Sequence, residues 1–346
     1  MVLKRTLLTL VTALLIVALV SACGNKSEEP ASSGSGQGQQ EKVKVMNVAT
    51  ATAKDRSLTQ GLYKFAEIVE AETGGSIKVE VYPDGQLGGD LQVFEALKIG
   101  SVQGATMSTG PIASFAPRFN IFDLPFLFKD TDTAYAILDG EIGQELLNDL
   151  PEVGVIGLSY MENGFRDLTN NKREVKTPDD VRGLKIRTLE NKLHVELWKT
   201  LGATPTPMAF TELYTALDQG VVDGQENPPG NVLLNKFYEV QKYLTKTGHV
   251  YNASPLLVSK KFWDELTDAE REAIRKAAKE ATEWQRQANI KESNEAYEKL
   301  KEAGMIITEL SAEEKARFVE ALQPVYEKFK GEIGADLVDK LLAAVK

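Results

Sequence analysis

Histidine and cysteine are almost missing from this chain of 346 residues, which has two of the first and one of the second. A single thiol cannot close an internal disulfide, so no disulfide framework staples the fold. His194 and His249 stand far apart in sequence, in no metal-ligand spacing such as HExxH. No G-x-S-x-G elbow and no phosphate-binding loop occurs, which removes the commonest nucleophilic and nucleotide chemistries. Basic residues are outnumbered, 40 against 50 acidic ones. Binding to nucleic acid or to an anionic lipid surface draws on Lys and Arg, so an acidic surface disfavours both. An anionic ligand would then depend on local cations, which gives each buried arginine weight.

Long apolar runs are scarce as well. Residues 7–20 form one of fourteen mostly apolar residues behind Lys4 and Arg5. A mature spanning helix needs about 20, so the run reads as the core of a signal peptide over residues 1–22. Ser21 and Ala22 then precede the lone Cys23, and Val20-Ser21-Ala22-Cys23 resembles a bacterial lipobox. Cleavage before Cys23 and lipid attachment to its sulfur are expected; the plainer reading is an ordinary signal peptide with an incidental cysteine. Residues 23–42, from the lipidated cysteine onward, read as a flexible tether of Ser, Gly, Gln and Glu. Cleavage removes only Lys4 and Arg5 among the charges, taking the net charge from −10 to −12. The ~300 residues beyond the tether exceed a comfortable single core, so two lobes are expected.

Past the tether, strand and helix patterns alternate. Strands at 43–48, 77–82 and 104–107 are separated by helices near 58–73 and 90–99, an α/β arrangement. A helix over 131–150 and a strand over 154–159 lead to Asn163-Gly164-Phe165-Arg166, read as a turn where the chain crosses between lobes. In the stretch 183–229 an apolar strand ends at Arg187, and helices follow near 192–201 and 211–219. A short Val221-Val222 strand and a tight polar turn over 223–227 close it. Open α/β sheets place ligands at strand ends such as that of Arg187, and a guanidinium matches a carboxylate bidentately. Its plainer reading is a pair with a structural carboxylate. Thr267-Asp268-Ala269-Glu270 reads as a capping box opening a charged helix to about 303, and Ser311 caps another.

The stretch 183–229, with Glu162-Asn163-Gly164-Phe165-Arg166 before it and Phe237-Tyr238-Glu239-Val240-Gln241-Lys242-Tyr243 after it, resembles the DctP-type solute-binding proteins of tripartite ATP-independent periplasmic (TRAP) transporters. The likeness extends from about residue 43 to the C-terminal helices. It implies an α/β, two-lobed periplasmic-binding-protein-like fold with a central ligand cleft and a long helix spanning both lobes. Lobe I would take 43–165 plus about 252–287, and lobe II 166–251 plus about 288–346. The resemblance also implies a monomeric, non-enzymatic, extracytoplasmic receptor without cofactor or metal. Such a receptor captures a small organic acid and delivers it to a permease of one small and one large membrane subunit.

Carried over by position, Arg187 matches the family arginine that pairs with the ligand carboxylate. Arg166 matches a second arginine, Asn227 the amide of the Gln-Glu-Asn-Pro turn, and Phe210 the aromatic that packs on the ligand. Arg56 falls where family members place a variable ligand-facing residue, with surface exposure the plainer reading. Ser108 and Thr109, at a strand exit, offer hydroxyl and backbone donors. Glu190 and Asn191 could reach ligand hydroxyls, with helix capping the alternative for Asn191. Thr188-Leu189-Glu190-Asn191 resembles a branch that takes sugar acids and hydroxy acids, so these lead. A C4-dicarboxylate or keto acid is the alternative, and a dicarboxylate needs a second cation from Arg56 or Lys54. Outside the family stand a structural lipoprotein and a hydrolase using Asp223 and Glu226 as a carboxylate pair.

Overall fold

The computed structural model describes residues 43–345; the expected signal peptide over 1–22, Cys23 and the tether to residue 42 lie outside the described residues. Its strands are β1 (Lys44–Ala49), β2 (Ile77–Tyr82), β3 (Gly104–Thr106), β4 (Val155–Asn170), β5 (Lys185–Thr188), β6 (Thr204–Pro207), β7 (Gly224–Asn227), β8 (Tyr243–Ser259) and β9 (Ile306–Glu309). The sheet order is β2-β1-β3-β8-β4-β7-β5-β6, with β9 beside β8. β1, β2 and β3 pair in parallel at one end, and β5, β6 and β7 do so at the other. Between them β4 and β8, of 16 and 17 residues, run antiparallel for almost their whole length. One end of this pair meets β3 and the other meets β7, so both lobes of the α/β fold share the same two strands.

Apolar spacing fixes what packs where. Met46 and Val48 of β1 bury one face against the helix Ser57–Glu72, whose Leu58, Leu62, Phe65 and Val69 recur at helical intervals. Ile274, Ala277 and Ala281 of the helix Asp268–Glu302 join that core, while Leu300 of the same helix packs with Leu213, Val232, Phe237 and Leu244. At 35 residues this helix is long enough to reach both cores, about 50 Å at 1.5 Å per residue. The expected capping box opens it: Thr267 Oγ1 accepts from the Glu270 N–H at 3.2 Å, and the Glu270 carboxylate accepts from the Thr267 N–H at 2.8 Å.

Three elements differ from the sequence reading. Residues 131–150 form two helices, Thr131–Leu138 and Glu141–Asp149. A Cβ at Gly143 would lie 1.9 Å from the Leu138 carbonyl oxygen, so the break is shaped around glycine. The freed Asp139 takes both prongs of Arg286 from the long helix, at 2.6 and 2.8 Å. Second, 163–166 is not a turn: β4 runs through it, bulging between Glu162 and Gly164 and between Arg166 and Leu168. At the first bulge Gln285 of the long helix satisfies the Glu162 backbone, accepting from its N–H at 2.8 Å and donating to its carbonyl at 2.7 Å. Third, the polar run 224–227 is itself the strand β7, and Val221 and Val222, expected as a strand, lie in a bend before it.

Candidate ligand-binding site

Gly, Gln, Glu and Asn are poor strand formers, yet β7 lies buried between β4 and β5. Gly224 permits the approach, because a Cβ there would meet the Thr169 carbonyl oxygen at 2.2 Å. Gln225 Nε2 donates to Thr169 Oγ1 at 2.8 Å. Glu226 receives Arg166 bidentately, Nε at 2.5 Å and Nη2 at 2.9 Å, and Nη2 also donates to the Glu226 carbonyl at 2.5 Å. Arg166 Nη1 donates to Asn252 Oδ1 at 3.0 Å. His249 Nε2 faces Glu226 at 3.1 Å, with Thr247 Oγ1 2.7 Å from Nδ1. Burial pushes the Glu226 carboxyl up, but Arg166 and the His249 hydrogen bond outweigh it and hold Glu226 well below the usual carboxylate range. Burial likewise pushes His249 down, against the pull of Glu226. The neutral ring donates from Nε2, since an ionised carboxylate can only accept.

Arg187, in β5, is held differently. Its Nε and Nη2 both donate to the Met208 carbonyl, at 2.9 and 2.6 Å, and Nη1 is buried without a partner among the described residues. The Phe210 ring centroid lies 5.9 Å from its Cζ. Burial lowers its pKa to about 10, with Glu226 opposing, so it stays charged at neutral pH.

A small cavity of about 20 Å³ lies beside these groups, lined among others by Asp90, Ser108, Arg166, Phe210, Asn227 and Asn231. Arg187 is outside the lining but in contact with it through Phe210. Asn227 bonds Gln225 through its amide nitrogen and accepts from Asn231 Nδ2 at 3.0 Å. The Ser108 hydroxyl donates to Asn252 Oδ1 at 2.9 Å. Four residues singled out in the sequence sit elsewhere. Thr109 donates to Asp123 at 2.8 Å. Asn191 caps the helix Lys192–Thr200, accepting from the Leu193 N–H at 2.6 Å and the His194 N–H at 3.2 Å. Glu190 lines a separate groove with Lys192, Val195 and Phe329. Arg56 is buried rather than exposed, ion-paired with Glu292, and its Nη2 donates to Asn163 Oδ1 at 2.8 Å.

Sequence reasoning did not single out Asp90, Asn231 or Ser254, all of which line the cavity. Asn231 Oδ1 and Ser254 Oγ are buried there without hydrogen-bond partners among the described residues. Burial pushes the Asp90 carboxyl up to about 6; the Ser108 backbone, Arg187 and Arg166 pull it down, and Glu190 adds to the rise. Among the described residues, no three or more His, Cys, Asp or Glu side chains are grouped to hold a metal ion, and no helix is long and apolar enough to cross a membrane.

Comparison with known proteins agrees with this architecture. The family model for bacterial extracellular solute-binding protein, family 7 (DctP), matches residues 48–332. The C4-dicarboxylate-binding periplasmic protein DctP of Rhodobacter capsulatus is 39% identical over 297 residues, covering 84% of this chain and 88% of that protein. The sugar acid binding protein of Advenella mimigardefordensis, solved with galactonate, superposes with a TM-score of 0.86 at 40% identity, covering 88% of this chain and 98% of that one. A TRAP periplasmic solute-binding protein of Polaromonas sp. JS666, bound to D-erythronate, gives 0.84 at 40% identity, covering 87% and 98%.

Proposed function

The chain belongs to the DctP family of bacterial extracellular solute-binding proteins, the solute receptors of TRAP transporters, and we propose that its ligand is a sugar acid or hydroxy acid. The observation that carries the reading is Arg187: a buried, charged fork held by one carbonyl, with Nη1 unpartnered. A charge taken out of water needs a counter-charge, and a carboxylate completes such a fork with charge-assisted hydrogen bonds. The galactonate and D-erythronate complexes of the two similar structures support acids that also carry hydroxyls.

The Rhodobacter relative supports a C4-dicarboxylate as the second reading. Against it, Arg166 is already neutralised by Glu226, Arg56 by Glu292, and Lys54 is exposed. The receptor is read as a monomer without catalytic activity, anchored through a lipid on Cys23 and working with a two-subunit membrane permease. The assignment of 43–165 plus about 252–287 to lobe I, and of the remainder to lobe II, is supported by the bulges of β4 around Gly164 and Arg166.

Thermal-shift and calorimetric titration with galactonate, D-erythronate and succinate test the ligand. A ligand at a hundredfold excess over its dissociation constant stabilises by ~2.7 kcal/mol. Arg187→Ala should fold and lose the response entirely; micromolar binding retained in that variant rejects the assignment.

A further inference from the structure

The unpaired polar atoms in and beside the cavity are not all donors. Arg187 Nη1 can only donate, but Asn231 Oδ1 can only accept, and Ser254 Oγ can do either. Asp90 adds a carboxylate to the same lining, with the Ser108 backbone beside it and both Arg187 and Arg166 within electrostatic reach. An ionised carboxylate ligand satisfies Arg187 but has no hydrogen to give these acceptors. Hydroxyl groups do. A second carboxylate near Asp90 would instead set like charges together in a site poor in water.

We propose that Asp90 is the specificity-determining residue of this cavity: it accepts a hydroxyl hydrogen from a monocarboxylate ligand and excludes ligands that carry a second carboxylate. The proposal rests on the organic-acid reading above and names the residue that divides its two branches. Asp90 also begins the helix Asp90–Ile99, where an acid offsets the positive end of the helix dipole. A residue with that role alone would alter stability and leave ligand preference unchanged.

Calorimetry on the whole chain at pH 7.5 separates the two, using D-galactonate, D-erythronate and succinate against the wild type, Asp90→Ala and the near-isosteric Asp90→Asn. Asp90→Ala should weaken the better hydroxy acid by about tenfold to a hundredfold, the worth of one hydrogen bond to a charged group. Asp90→Asn keeps an acceptor oxygen without the charge, so it should bind succinate at least about tenfold more tightly than the wild type does. Thermal midpoints of both variants, measured without added acid, report folding. Unchanged hydroxy-acid affinity in Asp90→Ala overturns the proposal, as does unchanged succinate affinity in Asp90→Asn. A wild type that binds none of the three acids overturns the organic-acid reading itself, and this inference with it.

Discussion

Arg166 meets its counter-charge inside the chain, in the two-pronged pair with Glu226, whereas Arg187 is held by a carbonyl and has no ion-pair partner among the described residues. The two should therefore respond oppositely to mutation. Glu226→Ala leaves Arg166 buried and unpaired, which costs about 3–5 kcal/mol and should appear as a lower denaturant midpoint. Arg187→Met removes an unpaired buried charge, so it should raise the thermal midpoint measured without added acid while abolishing the response to ligand. Asp167 supplies a pH signature. Buried, and bonded by the Tyr297 hydroxyl at 2.6 Å and the Gly248 N–H at 2.9 Å, its carboxyl is pushed up to about 6 by burial. A folded value above the ordinary ~3.9 means that the folded state holds the proton more tightly. This contribution to stability is complete below about pH 4 and fades as pH rises through about 6. Asp167→Asn should flatten that part of the stability–pH curve, a change on the order of 3 kcal/mol. At this scale Arg187 stood out because it ends an apolar strand, while Arg166 was singled out only through the family resemblance. Asp90 was hidden by its position, since an acid at the start of a helix has an adequate local reason to be there. Asn231 and Ser254 reach the cavity only through tertiary folding.

Capped helices read well from sequence, because the signal is local. Thr267→Ala should cost about 1 kcal/mol in chemical denaturation. Glu270→Ala should cost more, since the same carboxylate also holds Lys44 Nζ at 2.6 Å and Ser76 Oγ at 3.2 Å, tying the start of β1 to the long helix. β7 shows where local reasoning stops. Nothing in Gly224-Gln225-Glu226-Asn227 favours a strand, and the run becomes one because Thr169, Arg166 and Asn231 bond its side chains. Thr169 and Arg166 come from sequence positions too distant for any local pattern to register. The break at Asp139-Gly140 was missed for a related reason: apolar periodicity persists across it, while the pairing of Asp139 with Arg286 is a contact with the far end of the chain.

For the molecule as a whole, length and resemblance made two lobes legible, but not the strands they share. The register of β4 against β8 joins residues roughly ninety positions apart, and the bulges that interrupt it have no signature beyond glycine. Gly164 at φ +115° and Gly248 at φ +52° both take left-handed backbone beside Arg166. Gly164→Ala should cost about 1–2 kcal/mol and weaken binding with it, because the same bulge sets the direction of Arg166. The lipid anchor proposed at Cys23 predicts that Cys23→Ser moves the chain from the membrane fraction to the soluble one without changing ligand affinity, as the cavity is lined by residues between 50 and 254; an unchanged distribution rejects the anchor. The two bonds from Arg187 to the Met208 carbonyl bear on the tempo of recognition. A guanidinium anchored by its own chain has little rotamer freedom left to surrender when a carboxylate arrives. Differences between acids should then be written in how long each stays, not in how fast each is caught.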